Sequence, residues 1–402
     1  PILQRSKDYA PMGAGPFQFA SRQDSEVLLT ANSYHYKGEP KIYRIKFVEI
    51  DTYTAPQLLS NGFIDVAEMN YNQSILQEIR TINSNGEITG DVITTSKVDN
   101  LGYGYIRLNA RLVKVGDDPS STASRNLRKA LSTILAVYRK PATEAYYSPD
   151  GASTLEYPTI LSSWASPQPG DPGYREAFSV DVDGLPIYTP GMSQAQKVSA
   201  AREAALGFFE AAGFTVSGGM LVAAPAGAKL NYEVIVPGGG TGDHPAYGLL
   251  VAAQETLSEI GMTLNIYDPP DSNVLWDALD NGTQELWTAA WGSAIDPDMY
   301  QVYHSSNTFD QPDGTHSNHY YIQDPQLDEL IMQARSSDDQ ALRKELYRQA
   351  FDIIMDWGAE IPNYSRKNYE FFSTQRVNTA TITPGITTFW GWQNDIENLR
   401  MK

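Results

Sequence analysis

Cysteine is absent from all 402 residues of the sequence. The absence excludes disulfide bonds, thiolate nucleophiles and cysteine-based zinc sites together. Basic residues are also scarce, since 30 Lys and Arg stand against 48 Asp and Glu and give a formal net charge of −18. Nucleic acids and anionic membranes attract basic protein surfaces, so we expect neither to be a main partner of this chain.

Long apolar runs are missing as well, because no segment approaches the roughly 20 apolar residues that a membrane-spanning helix requires. Hydrophobic residues still make up 41% of the chain and charged residues 19%, which is typical of a globular protein. A chain of 402 residues is too long for one compact core, so we expect at least two lobes. The sequence begins at Pro1 without an initiator Met or a signal peptide, and we interpret it as a mature or truncated product.

Recognisable catalytic motifs are lacking too. The sequence contains no nucleophile elbow and no phosphate-binding loop, and the Gly13–Gly15 pair precedes a strand pattern, not a helix. Glu285, Asp296 and Asp298 lie in a stretch that also carries Trp and Tyr, which leaves a glycoside-acting enzyme as an alternative. Because Asp296 and Asp298 are too close in sequence to flank a sugar bond from opposite sides, we predict a binding protein and not an enzyme.

The most regular part of the chain alternates strand and helix patterns. Short apolar runs typical of strands occur at 231–237, 263–267 and 285–291, and helical patterns separate them at 245–260 and 272–279. This β-α-β-α-β order predicts a parallel sheet covered by helices. Ligands of such sheets bind at the carboxyl ends of the strands. The loops at those ends are 238–244, 268–271 and 292–298.

A strand pattern at 364–373 follows this block and is expected to rejoin the sheet formed by the first part of the chain. We therefore predict that residues 1–109 with 364–402 form lobe one and that residues 110–363 form lobe two. The fold class is α/β, with mixed sheets flanked by helices and two hinge crossings between the lobes.

Six short motifs, none of them specific alone, occur in a fixed order over nearly the whole chain. They are Gly13-Ala14-Gly15-Pro16-Phe17, Ala31 to Gly38, Asn61-Gly62-Phe63-Ile64-Asp65, Leu127-Arg128-Lys129-Ala130-Leu131, Asp324 to Leu330 and Ile361-Pro362-Asn363-Tyr364. In this order they resemble the extracytoplasmic solute-binding proteins of peptide and nickel ABC importers, family 5. Members normally carry many more residues before the first motif, so the resemblance implies that lobe one is incomplete and lacks its N-terminal part.

The resemblance implies a two-lobe, periplasmic-binding-protein-like fold of type II that closes on a small solute by hinge motion. An oligopeptide or a similar solute is the expected ligand, and an ABC permease in the membrane is the expected partner. A nickel complex or an oligosaccharide is the alternative ligand. We expect a monomer without cofactor or metal ion, located outside the cytoplasm, either in the periplasm or as a cell-surface lipoprotein anchored through the missing N-terminal segment.

The resemblance also directs attention to the segment that follows the third strand of the regular block. In family members a Trp after this strand lines the ligand pocket, and Trp291 stands at the matching position. Gly292, Ser293, Ala294 and Ile295 follow, and they leave main-chain groups open to a ligand. Many peptide-binding members carry a carboxylate three residues after the Trp, which anchors the ammonium group of the peptide, but here that position is Ala294.

Further positions complete the predicted ligand-binding set. Asp296 comes next, although Asp296-Pro297-Asp298 is also typical of a helix start in which Asp296 is the cap. His244 lies in the loop after the first strand of the block, where a ligand carboxylate would meet it. Asn363 and Tyr364 are included because they belong to the last motif of the resemblance.

Three histidines, His304, His316 and His319, raise the question of a metal site together with Asp310 and Asp313. The segment is polar and has a loop-like composition, and His316 and His319 would need a helix to converge on one ion. Solvent-exposed histidines are therefore the favoured interpretation, and we predict no metal ligands here.

Overall fold

A computed structural model describes residue 11 and residues 13–402. The predicted start of lobe one, residues 1–10, lies outside the described residues. The chain divides into two compact units. The first extends to Asn100 and resumes at Lys367–Lys402, and the second spans Leu101–Arg366. The predicted lobes use boundaries that differ from these by nine residues or fewer, and the lobe assignment stays a prediction.

The secondary structure confirms an α/β chain. In order up to Asn100, the elements are β1 (Phe17–Gln23), β2 (Glu26–Ala31), β3 (Arg44–Val48), α1 (Ala55–Ser60), β4 (Val66–Glu68), α2 (Gln73–Ile82) and β5 (Ile93–Asp99). From Leu101 onward they are β6 (Gly102–Leu108), α3 (Thr122–Ala136), α4 (Arg139–Tyr147), β7 (Ala152–Thr154), α5 (Gln194–Ala211), β8 (Thr215–Ser217), β9 (Met220–Ala223), β10 (Asn231–Ile235), α6 (Tyr247–Glu259), β11 (Thr263–Tyr267), α7 (Asn273–Asn281), β12 (Leu286–Gly292), α8 (Tyr300–Tyr303), α9 (Pro325–Arg335), α10 (Gln340–Trp357) and β13 (Glu360–Ser373). Within the described residues, no helix is long and apolar enough to cross a membrane.

The first unit contains two groups of paired strands. β1, β2 and β3 form an antiparallel meander. The second half of β13 pairs antiparallel with β4 on one side and with β5 on the other. An apolar cluster centred on Phe372 and Trp392 packs against Phe17 and Ile45, so the meander and the C-terminal segment share a core. The predicted return to the first part of the chain is confirmed for residues 367–373, whereas residues 364–366 pair with β7 of the second unit.

Two carboxylates of the first unit face each other across this pairing. Glu370 of β13 lies directly opposite Glu68 of β4. Burial, and next the charge of Glu68, raise the pKa of Glu370 to about 7. One carboxylate oxygen of Glu370 is buried and has no hydrogen-bond partner among the described residues. Glu68 accepts hydrogen bonds from the side chains of Trp392 and Gln393.

We expect Glu370→Gln to raise the free energy of unfolding by about 1 kcal/mol above pH 7, a value discounted because the carboxyl is half exposed. The folded protein keeps the Glu370 proton up to about pH 7, whereas the usual carboxyl pKa of 4.5 applies after unfolding. The stability of the unchanged protein therefore falls as the pH rises from 4.5 to 7. Urea denaturation at pH 4 and pH 8 measures the difference, with the exposed Glu39→Gln as control. An equal gain at both pH values would contradict the assignment.

The second unit is built on a mixed sheet. The order of its strands is β11, β10, β12, β6 and the first half of β13, and the short β7 also pairs with β13. β10 is parallel to both β11 and β12, which confirms the parallel β-α-β-α-β block expected from the sequence. β6 is antiparallel to β12 and to β13, so the sheet is mixed.

Helices cover both faces of this sheet. One apolar cluster joins α3, α5 and α6 to the sheet face that carries Leu286 and Ile106. The other joins α7, α9 and α10 to the opposite face, which carries Trp287 and Tyr103. Successive strand residues point to opposite faces, so alternate residues of β6 and β12 enter different cores. This alternation decides which of the predicted site residues share a surface.

Candidate functional site

The site predicted at the end of β12 begins with Trp291 and Gly292, the last two residues of the strand. They pair with Tyr103 and Gly102 of β6. The Trp291 side chain is partly buried against the cluster that contains Tyr103 and Trp287. Gly292 is exposed, and a Cβ built on it would meet no atom within 4 Å. The strand thus ends in a half-buried indole followed by an open main chain.

The next three residues continue this open surface. The Ser293 amide donates to the Leu101 carbonyl at 3.0 Å, which extends the pairing of β12 with the β6 side by one residue. Ala294 and Ile295 are exposed, and Ile295 keeps 71% of its surface accessible. An exposed apolar side chain beside an exposed main chain and a half-buried Trp is suited to contact with a ligand that has both apolar and amide groups.

Asp296 does not cap a helix, so the capping interpretation is wrong. The helix α8 begins later, at Tyr300, and its first turn is held by Asp298, whose carboxylate accepts from the Tyr300 amide at 3.0 Å. Asp296 forms a two-pronged ion pair with Arg343 of α10, at 2.9 and 2.6 Å. Asp298 also pairs with Arg335 of α9 at 3.0 Å. The two aspartates therefore tie the loop to the helices beneath it.

Arg343 was not recognised in the sequence, because it lies 47 residues after Asp296 and no local pattern connects the two. Its guanidinium also donates to the Tyr347 hydroxyl at 2.9 Å and lies over the rings of Trp164 and Tyr347. The Asp296 hydrogen bonds raise the pKa of Arg343, so its charge is permanent. Arg343 consequently positions the loop that carries the candidate contacts.

His244 lies on the other face of the sheet. Its ring is within 3.2 Å of the Thr288 hydroxyl and accepts from the Ala246 amide at 3.2 Å. Thr288 alternates with Trp287 and therefore points away from the Trp291 surface. Burial lowers the pKa of His244 to about 4, so the ring is neutral at pH 7. The glycine-rich loop before it is held by Asp268, which accepts from the amides of Gly238 and Gly242 at 2.8 and 2.7 Å.

Asn363 and Tyr364 belong to the first half of β13. After a register shift beyond Pro362, Tyr364 pairs with Gly104. Its ring occupies the space that a side chain at Gly104 would need, and it packs 5.2 Å from the Tyr147 ring. Asn363 is buried, and its side-chain oxygen has no hydrogen-bond partner within the described part of the chain. Gly104 alternates with Tyr103, so Tyr364 shares a face with His244 and not with Trp291.

Apart from the buried Asn363, the predicted site residues thus separate into two groups. Trp291 to Asp296 form one continuous surface at the end of β12, and His244 and Tyr364 lie on the opposite side of the sheet. Their role in ligand binding stays a prediction for both groups. Sequence spacing placed them at the same strand ends, but the alternation of side chains along β6 and β12 determines the face.

A buried polar network lies beneath the Trp291 strand and was also missed. Arg107 of β6 donates to Glu360 of β13 at 3.2 Å, and both side chains are fully buried. The Tyr303 hydroxyl donates to the other Glu360 oxygen at 2.7 Å. The Arg107 guanidinium lies 3.3 Å from the centre of the Tyr105 ring and 4.3 Å from that of Tyr320. The sequence signal was a single charged residue, Arg107, in the otherwise uncharged strand β6 (Gly102–Leu108).

The three histidines of the polar segment are placed differently from one another. His316 is exposed, as predicted, whereas His304 and His319 are half-buried, so the prediction is wrong for these two. His304 contacts the Ser306 hydroxyl at 2.8 Å. Burial lowers the pKa of His319 to about 4. Over the described residues, no group of three or more His, Asp or Glu side chains is arranged to hold a metal ion.

Comparison with known protein families gives one match to this chain. The sequence profile of the bacterial extracellular solute-binding proteins, family 5 Middle, matches residues 4–313. This match spans more than half of the 402 residues. Among curated proteins, none matches the chain.

Solved structures share the fold. The oligopeptide-binding protein AppA of Bacillus subtilis, solved in complex with a nonapeptide, is 19% identical with a TM-score of 0.68, over 100% of this chain and 70% of its own. NikZ of Campylobacter jejuni, in complex with Ni(L-His), is 18% identical with a TM-score of 0.68, over 98% and 69% of the two chains. DppA of Helicobacter pylori, in complex with the peptide STSA, is 16% identical with a TM-score of 0.65, over 100% and 66%.

Proposed function

The chain belongs to the bacterial extracellular solute-binding proteins of family 5, and on that premise we propose that it binds a short peptide at the end of β12. The resemblance seen in the six sequence motifs is confirmed by the family match. Peptide is the proposed ligand class because two of the similar structures, AppA and DppA, hold peptides. An ABC permease is the proposed partner, and the proposed location is outside the cytoplasm.

The observation that carries the peptide proposal is the combination of Trp291 with the open segment Gly292–Ile295. A peptide main chain alternates amide donors and acceptors, and the exposed backbone after Trp291 offers the same groups in return. The half-buried indole provides an apolar surface of fixed orientation. Asp296 and Asp298 support this surface indirectly through Arg343 and Arg335.

The absence of a carboxylate at Ala294 shapes the proposed binding mode. Asp296, the nearest acid, is already paired with Arg343. A ligand ammonium group therefore finds no unpaired carboxylate at this position of the loop. We infer that the peptide is held through its main chain and one apolar side chain and not through its N-terminus. Peptides with blocked and free N-termini are then expected to bind about equally well.

We expect Trp291→Ala to weaken peptide binding by about 10- to 100-fold, since a central aromatic contact is typically worth 1–3 kcal/mol. Isothermal titration calorimetry measures the change in affinity. The ligands are tripeptides and pentapeptides of mixed sequence, each with a blocked and with a free N-terminus. Trp276→Ala is the matched control, because Trp276 is a 49% exposed indole on α7 outside the site. It is expected to bind like the unchanged protein.

Other ligand classes are distinguished in the same titration. A nickel–histidine complex and a maltooligosaccharide join the panel, because NikZ was solved with Ni(L-His) and an oligosaccharide is the other alternative. Equal peptide affinity for Trp291→Ala and the unchanged protein would overturn the assignment of the site. Binding of the nickel complex or of the sugar without any peptide binding would overturn the ligand class. Turnover of any of these compounds would overturn the proposal that the protein only binds.

A further inference from the structure

A cavity lies in the second unit, apart from the β12 site. Its volume is about 250 Å³, and it shares no lining residue with Trp291–Asp296. One wall is the face of α3 that carries Asn126, Lys129 and Thr133, residues spaced by three and four positions. Phe208 of α5 and Asp356 at the end of α10 contribute to the other walls. A cavity of this size accommodates several waters or a small organic molecule.

Asn126 gives this cavity a polar group that no part of the protein uses. The side chain is only 7% exposed, lines the cavity and makes no hydrogen bond to any described residue. Because its amide atoms are not fully enclosed by protein atoms, they are open to water or to a ligand in the cavity. An amide offers both donors and an acceptor. Asn126 is therefore placed to recognise a ligand that carries a complementary polar group.

A short hairpin covers the cavity. Residues 179–187 fold back on themselves through a bridge between Val180 and Pro186. The tip residue Val182 reaches Gly207 of α5, where a Cβ would come within 3.8 Å of the Val182 side chain. At the base of the hairpin, Phe178 adopts a positive φ of 54°, which is a strained conformation for an aromatic residue. Phe178, Val180 and Val182 thus form an apolar cover over the cavity.

The charges around the cavity are only partly paired within the protein. Lys129 is bound by Asp356, and Glu156 is bound by Arg139 at 2.8 Å. The Arg175 guanidinium, which also lines the cavity, makes no ion pair or hydrogen bond with any residue that the structure describes. Asp181 uses one carboxylate oxygen to accept from the amides of Asp183 and Leu185 at 3.0 and 2.8 Å.

We propose that this hairpin-covered cavity is a second binding site for a small zwitterion with an apolar side chain, such as a free amino acid or a dipeptide. Arg175 binds the carboxylate of the ligand through its paired N–H donors. The second carboxylate oxygen of Asp181 accepts from the ammonium group, and Asn126 completes the polar contacts. Phe178, Phe208 and Val180 surround the apolar side chain. The site is independent of the peptide proposal, since it uses none of the same residues.

The test titrates the whole chain with L-phenylalanine by calorimetry, with phenylacetate and phenethylamine as probes that lack the ammonium or the carboxylate. We expect L-phenylalanine to bind and the two single-charge probes to bind at least tenfold more weakly. Arg175→Gln and Asn126→Leu are each expected to weaken L-phenylalanine binding about tenfold or more. Arg175 is exposed, so its replacement is not expected to affect folding.

Arg22→Gln is the charge-matched control, because Arg22 is an exposed cation of the first unit. It is expected to leave L-phenylalanine affinity unchanged. Repeating the Arg175→Gln titration in the Trp291→Ala background separates the two sites, and the same loss is expected there even if the peptide proposal fails. The second site would be overturned if the unchanged protein does not bind L-phenylalanine. It would also be overturned if Arg175→Gln and Asn126→Leu bind L-phenylalanine as tightly as the unchanged protein does. Equally tight phenylacetate binding would overturn the zwitterion class.

Discussion

Glu360→Ala is expected to lower the free energy of unfolding by about 3–5 kcal/mol, the usual cost of leaving a buried charge without its partner. Glu360 is the only carboxylate within ion-pair distance of Arg107 among the described residues, and both side chains are fully buried. Burial opposes the Arg107 charge, but the attraction of Glu360 and of nearby tyrosine oxygens keeps the pKa of Arg107 raised. The replacement removes the attraction of Glu360, so the Arg107 guanidinium keeps the cost of its burial without the carboxylate that offset it. Tyr303 loses its acceptor in the same variant.

The double variant Arg107→Met with Glu360→Leu is the informative control for this prediction. It removes both charges and fills the space with apolar groups, which in other buried pairs is neutral or stabilising. We expect it to recover most of the stability lost in Glu360→Ala. Urea denaturation measures the change in unfolding free energy of the single and the double variant, provided that the m-value stays unchanged. A loss below about 1 kcal/mol in Glu360→Ala would show that water reaches Arg107 and that the network is not sealed.

Arg128→Met is expected to cost about 3 kcal/mol or more of unfolding free energy. Arg128 is fully buried in α3, and its guanidinium donates to three carbonyls, those of Trp357, Val113 and Pro119, at 2.7, 3.1 and 2.9 Å. Methionine has a similar length but offers no donor, so the three carbonyls lose this partner. Burial lowers the pKa of Arg128 to about 9, which still leaves the side chain charged at pH 7.

The neighbouring Arg125→Met is the matched control for this variant. Arg125 lies in the same helix, is partly buried with 24% of its side chain exposed, and pairs with Asp356 at 2.6 Å and with Asp324 at 3.4 Å. Solvent-accessible ion pairs contribute about 0–1 kcal/mol each, so we expect the two pairs of Arg125 to cost less than Arg128→Met does. Thermal and urea denaturation compare the two variants. Equal losses for both would mean that the carbonyl contacts of Arg128 contribute nothing beyond its charge.

Local patterns in the sequence were sufficient for the regular elements. The alternation of strands and helices at 231–291 predicted three parallel strands, and β10, β11 and β12 pair in that way. The return to the first part of the chain was also correct for residues 367–373. Periodicity and connection length specify such elements because each depends on residues that are near in sequence.

The position of Trp291 at the end of a strand was predictable for the same reason. The ion-pair partners of the charged residues around it were not. Asp296 has the sequence context of a helix cap, yet it pairs with Arg343. The cap needed only local backbone geometry, whereas the ion pair depends on how α10 packs beneath the loop. His244 and Tyr364 were assigned to the same site, although the strand alternation places them on the other face.

What the sequence by itself determined is the α/β class, the three parallel strands within 231–291, the family and the position of the segment that follows Trp291. These follow from periodicity, from composition and from motifs that are each read within a few residues. The tertiary structure alone decided the Arg107–Glu360 pair, the three carbonyl contacts of Arg128, the Arg343 support of the loop and the cavity beside Asn126. Each of these joins residues that are far apart in sequence, so only the packing of the helices against the sheet defines them.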